Sequence, residues 1–238
     1  MNIRHSKNTN LTLIQNPIWN GLPVQSRQGF LIEEYLIRIH QVLDHALAEH
    51  RRTCVFRVDL KFPVQGYEPD SGAITRFIDS LKAQIHSDTH RKKRDMSRVY
   101  PCTLRYIWVR EQDTSSHWHY HVAIFLNNDR FNSWGRFRSP EQYTDHGGFA
   151  DGKPNMADRM RKAWASALGI RLEESIGLVH FTGSPYCINV SADDYHDRYN
   201  DLFYWLSYFA KAHTKHYGNR QRHFGCSQSR ALPTRAYF

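Results

Sequence analysis

The chain has 238 residues, a formal net charge of +9 and a sequence pI of about 9.5. That length allows one large domain or two small ones with a sizeable core, and hydrophobic residues at 40% with aromatics at 13% exclude general disorder. A basic, aromatic-rich chain fits a polyanionic partner, foremost nucleic acid, since phosphates need Lys and Arg and bases stack on rings.

Residues 1–26 are polar and carry Pro17, Gly21 and Pro23, so they read as an extended lead-in. From Gln28 to Glu49 the apolar positions Leu31, Ile32, Tyr35, Leu36, Ile39, Val42, Leu43, Ala46 and Leu47 recur at spacings of three and four, as in an amphipathic helix. TCVFRVDLKFP then alternates as a strand that ends at Pro63. Residues 71–87 open with a Ser cap and carry Ile74, Phe77, Ile78, Leu81 and Ile85 on one face of a second helix. The charge run HRKKRDMSR follows as an inter-element loop, in which Arg91, Lys92, Lys93, Arg94 and Arg98 are candidate phosphate contacts. LRYIWVRE is a second strand, and a polar turn over Gln112–Ser116 leads into a third, HWHYHVAIFLN, as a hairpin.

The glycine- and proline-punctuated stretch 127–155 reads as loop, with Trp134 and Phe137 as candidate base-stacking rings. A helix over 155–168 follows, then strands at GLVHF and PYCINV, then a helix from about Asp197 to His213. The tail from Tyr217 is basic and loop-like, and Lys215, Arg220, Arg222, Arg230 and Arg235 are candidate duplex contacts. The expected class is α+β, a mainly antiparallel sheet with helices packed on one face. The divisions are 1–26 lead-in, 27–216 main domain and 217–238 basic tail.

The four cysteines, Cys54, Cys102, Cys187 and Cys226, never form a CxxC pair and suit neither a zinc knuckle nor a dense disulfide framework. Neither a signal-peptide core nor a membrane-length apolar run is evident, so a reducing cytoplasm and no membrane partner are expected.

In HWHYHVAIF, His117, His119 and His121 fall on one face of a strand, where imidazoles serve as ligands for divalent metals. Two resemblances compete for this stretch. HWHYHVA resembles the histidine-triad nucleotide hydrolases, in which the middle residue, here His119, attacks an α-phosphate without a metal. HYHVAIF also resembles the HUH endonucleases, rolling-circle initiators and relaxases with a palm/RRM-like fold. That kinship implies His119 and His121 as ligands of Mg2+ or Mn2+, with Glu111 across the hairpin as third ligand. Asp59 is the second choice for that place, and His117 an extra ligand or hydrogen-bond partner.

Tyr204, Tyr208 and Lys211 form a Y-x-x-x-Y-x-x-K pattern on one helix face, similar to the two-tyrosine HUH initiators. There the tyrosines are nucleophiles, here Tyr208 with Tyr204 second: a phenol with pKa about 10 attacks weakly unless a nearby cation, here Lys211, favours the phenolate. The assemblage HWHYHVAIFLN, GLVHF and FYWLSYFAKAHTK is similar to the inovirus-type gene-two replication proteins and their prophage relatives of the YagK/YfjJ C-terminal domain type. The resemblance covers roughly residues 30–225. It implies a phage or prophage enzyme of the bacterial host cell that nicks and rejoins single-stranded origin DNA through a 5′-phosphotyrosine. No Walker A pattern is present, so a host helicase and polymerase would be needed. A catalytically silent DNA-binding regulator descended from such an initiator is the alternative, beside the histidine-triad hydrolase.

Overall fold

A computed structural model describes residues 3–112, 117–143, 152–213, 215 and 221–228. In chain order the elements are β1 (Ile3–His5), β2 (Asn8–Ile14), β3 (Ile18–Trp19), β4 (Leu22–Pro23), β5 (Leu31–Ile32), α1 (Glu33–Glu49), β6 (Arg52–Leu60) and α2 (Ala73–Arg94). β7 (Arg105–Glu111), β8 (His119–Asn127), α3 (Met156–Leu168), β9 (Val179–Phe181), β10 (Tyr186–Asn189), α4 (Tyr195–Ser207) and β11 (Phe224–Cys226) follow. The central sheet is antiparallel in the order β10-β6-β8-β7-β11, and β9 shares the β10 edge of β6. β1, β2 and β5 form a separate three-stranded sheet, so part of the lead-in is structured.

The α+β class and antiparallel sheet match the expectation, but the helices cover both faces of the sheet. Cys54, Phe56, Val58 and Leu60 of β6 pack with Phe77 and Leu81 of α2 and Met160 and Trp164 of α3. Val55, Ile107, Val109, Ala123 and Phe125 point the other way, into α1 and α4 through Leu36, Leu43, Phe203 and Leu206. The reason was present in β8: VAIFL is apolar at every position, so neither face can be left in water.

The second helix continues through the charge run to Arg94, where a loop was expected. Arg and Lys are good helix formers. Asp88 pairs with Arg91 and Lys92 one turn on, and four cations in the last turn suit the helix dipole. Its start lacks a Ser71 cap; Asp70 Oδ1 accepts from the Gly72 N–H instead.

The lead helix is shorter than expected, because Leu31 and Ile32 form β5. Trp134 is buried against Phe56 and Phe181 and donates to Gly183 O, so it is core and not a base platform. Phe137 remains exposed.

At the other end, Phe224–Cys226 adds an edge strand to β7 where loop was expected. Gly225 is required there, since any Cβ would overlap the Trp108 indole. Cys54 and Cys187 are joined across β6 and β10. Among the described residues no helix is long and apolar enough to cross a membrane.

Candidate metal centre

Each central strand carries the same plan on the α1/α4 face, apolar at one end and polar at the other. β6 reads Val55, Arg57, Asp59; β7 reads Ile107, Val109, Glu111; β8 reads Phe125, Ala123, His121, His119 in the reverse direction. The antiparallel register therefore gathers the polar ends. Glu111 stands opposite His119, and Asp59 opposite His121.

Three ligand atoms of Glu111, His119 and His121 lie within 4.8 Å of one another. The two Nε2 atoms are 3.1 Å apart, and Glu111 Oε2 is 3.4 Å from His121 Nε2. Ligands about 2.1 Å from one ion are separated by roughly 3 Å at tetrahedral or octahedral angles, so these separations suit a shared cation.

Asp59 is not a member of that set; it accepts from His121 Nδ1 at 2.5 Å. An ionised carboxylate only accepts, so Nδ1 is the donor to Asp59, which leaves Nε2, facing Glu111 and His119, as the atom a cation would take. This is the carboxylate–histidine arrangement that orients a metal ligand. His117 precedes β8 and lies outside the three-residue cluster.

The electrostatics agree with a cation-seeking site. Burial alone would lower the His121 pKa, but its bonds to Asp59 and Glu111 outweigh burial and raise it. His119 is lowered, by burial first and then by the charge on His121. Glu111 is held far below the usual carboxylate range: burial opposes this, but His121 and the Lys215 ammonium prevail. Two imidazoles and one carboxylate fit Mn2+ or another transition ion better than Mg2+, which favours oxygen ligands.

The tyrosine segment reaches this centre through a change in helix type. Ser207 Oγ donates to Tyr204 O and accepts from the Gln25 N–H. The chain then tightens to a 3-10 turn over Tyr208–Ala210, and Lys211 pairs with Leu31. The expected continuous helix to His213 thus ends at Ser207.

Tyr208 lies edge-on to His121, ring centroids 5.5 Å apart. Lys211 Nζ is 3.4 Å from the Tyr208 ring centroid and the Arg57 guanidinium 4.6 Å, a cation–π pair that fixes the ring. Tyr204, 42% exposed, makes no ring contact with the histidines among the described residues.

Three residues of the centre escaped sequence reasoning. Lys215, expected to touch duplex DNA, is buried and donates to Glu111 Oε1 at 3.1 Å and to Lys211 O at 2.5 Å. Its spacing of four from Lys211 was the available signal. Arg57 shares the Asp59 face by strand alternation. His180 stands opposite Asp59 in β9, which extends the row His180, Asp59, His121 across three strands.

Arg91, Lys92, Lys93 and Arg94 lie in the last turn of α2, and Arg98 stacks on Tyr100 just beyond it. The first four belong to the helix covering the opposite face of the sheet. Arg220, Arg230 and Arg235 lie outside the described residues, as do positions 113–116 of the hairpin turn.

The profile of the YagK/YfjJ C-terminal domain matches residues 14–227. The chain is 34% identical to the protein YfjJ of Escherichia coli over 215 residues, 85% of this chain and 98% of that one. It is 31% identical to YagK of the same organism over 216 residues, 86% and 97% of the two chains. No solved structure matches the chain.

Proposed function

The chain belongs to the YagK/YfjJ C-terminal domain family, and we propose that it is a metal-dependent DNA endonuclease and strand transferase of HUH type, akin to the inovirus-type replication initiators. In this reading Glu111, His119 and His121 hold the ion, Mn2+ in preference to Mg2+. Tyr208 is the nucleophile, and Tyr204 the second tyrosine. The single observation that carries the reading is the Tyr208 ring 5.5 Å from His121, beside the three convergent ligand atoms.

The chemistry follows from the residue types. The Tyr208 phenol oxygen forms a bond to the phosphorus of a phosphodiester, and the bond from phosphorus to the 3′ oxygen breaks. The phenol proton leaves to solvent, the departing 3′ oxygen takes up a proton, and the 5′ phosphate stays on the protein as a phosphotyrosine. Attack by a 3′-OH reverses the step, so nicking and rejoining are one reaction run in two directions. A bound divalent ion would polarise the scissile phosphate and hold it for in-line displacement.

The remaining residues have supporting roles. Asp59 fixes the His121 tautomer, Lys215 keeps Glu111 ionised, and Lys211 with Arg57 holds the Tyr208 ring in place. A host polymerase extending the free 3′-OH would complete rolling-circle initiation. The test is covalent capture: incubation with single-stranded origin DNA and Mn2+ should leave a denaturation-resistant protein–DNA adduct. Salt-sensitive DNA binding without an adduct would leave a silent regulator in its place.

A further inference from the structure

We propose that the cleft between α2 and α3, on the sheet face opposite the metal centre, is a second binding site that grips the phosphate backbone of nucleic acid. The proposal rests on the nucleic-acid part of the reading above and is independent of the tyrosine chemistry.

At the cleft floor Asp88 is buried and meets four cations: Arg91 at 2.7 Å, Lys92 at 3.5 Å, Arg130 at 3.0 Å and Arg159 at 3.0 Å. One carboxylate against four cations leaves three positive charges in excess. The Arg130 and Arg159 side chains are only 3% and 6% exposed, and the Nε of each is buried without a partner among the described residues. Asp88 holds these two arginines at the floor, so their charge is fixed beneath the more exposed Arg91 and Lys92, which are the cations a ligand can reach.

These cations are also held in advance of any ligand. Arg130 donates to Ile85 O and Arg159 to Gln84 O, so little side-chain freedom remains to be lost on binding. Arg130 and Arg159 lie over the Phe131 ring, which lines the same cleft together with Lys153.

The shape selects a strand over a small anion. A second cleft, lined by Ser80, Gln84, Ser87 and Lys162, continues from the first through Asp88, Arg91 and Arg159. The result is an open basic strip from Lys153 to Lys162 with an aromatic ring beside it, which matches a polyanion carrying bases.

The test is fluorescence anisotropy of the full chain with a labelled single-stranded oligonucleotide in EDTA. The variant Arg91→Gln/Lys92→Gln/Lys153→Gln keeps the buried arginines, and a Lys153→Glu/Lys162→Glu variant alters only the exposed rim. Both should weaken binding by about tenfold or more, and the triple variant should lower the salt slope by about two, from three lost phosphate contacts. Mn2+ binding read by calorimetry should be unchanged in both, which separates this site from the metal centre.

Wild-type affinity and salt slope in both variants would overturn the proposal. Displacement of the oligonucleotide by inorganic phosphate or a free nucleotide at micromolar concentration would overturn the polymer assignment in favour of a small-anion pocket.

Discussion

His121 and Asp59 face each other across β6 and β8 with Nδ1 and Oδ1 2.5 Å apart, and this bond decides which imidazole nitrogen is presented to Glu111 and His119. Asp59→Asn keeps the volume but can offer its amide donor to Nδ1, which permits the wrong tautomer. Mn2+ affinity measured by calorimetry should fall about 10- to 100-fold, with the fold intact by circular dichroism. Wild-type affinity in this variant would show that Asp59 does not set the ligand geometry.

Lys215 is the buried counter-charge of Glu111. Lys215→Met removes one of the two partners of that carboxylate, the other being His121, and loss of one partner of a buried pair costs up to about 3–5 kcal/mol. A divalent ion at the same carboxylate should restore part of the loss. The melting temperature of the variant should therefore rise more on Mn2+ addition than that of the parent. Equal shifts in both proteins would place the ion away from Glu111.

Asp88 gives the pH dependence. Burial would raise its pKa, but the Arg130 hydrogen bond and the charges of Arg159 and Lys92 outweigh burial and lower it. A carboxyl depressed in the folded state contributes stability that is present above its unfolded value, about 3.9, and is lost as pH falls through the folded value. Urea unfolding should thus show a stability loss below about pH 4 that Asp88→Asn largely removes. An identical acid limb in the variant would refute the linkage.

Tyr204 and Tyr208 are four residues apart but differ in surroundings, one in solvent and the other packed beside His121. Tyr204→Phe should leave the first cleavage within about twofold of the parent and affect only a following transfer. Abolition of adduct formation by Tyr204→Phe would invert the assignment of the two tyrosines.

Much of this centre was legible because strand alternation is a strict rule. His119 and His121 had to share a face, and the hairpin put Glu111 on the neighbouring strand. The sequence could not show that Asp59 would meet the far nitrogen of His121, because that depends on the pairing of β6 with β8, some 60 positions apart.

Lys215 was hidden for a related reason, since a lysine in a basic stretch looks solvated until a buried carboxylate is found beside it. The charge run after Ile85 illustrates the opposite limit. Its polarity suggested loop, while Asp88 and its cations carried the helix onward to Arg94. Apolar residues on both alternations of β8 indicated two covered faces, a signal that outweighs the irregular order of helices and strands.

In the proposed reaction Tyr208 attacks DNA beside a metal held by Glu111, His119 and His121. The most direct measurement is a labelled single-stranded origin oligonucleotide incubated with the parent protein, Tyr208→Phe and His119→Ala/His121→Ala, each with Mn2+ or EDTA, then resolved on a denaturing gel. A covalent protein–DNA band is expected for the parent with Mn2+ alone, and none with EDTA or in either variant. An adduct of undiminished yield from Tyr208→Phe, or one that persists in EDTA, would contradict it.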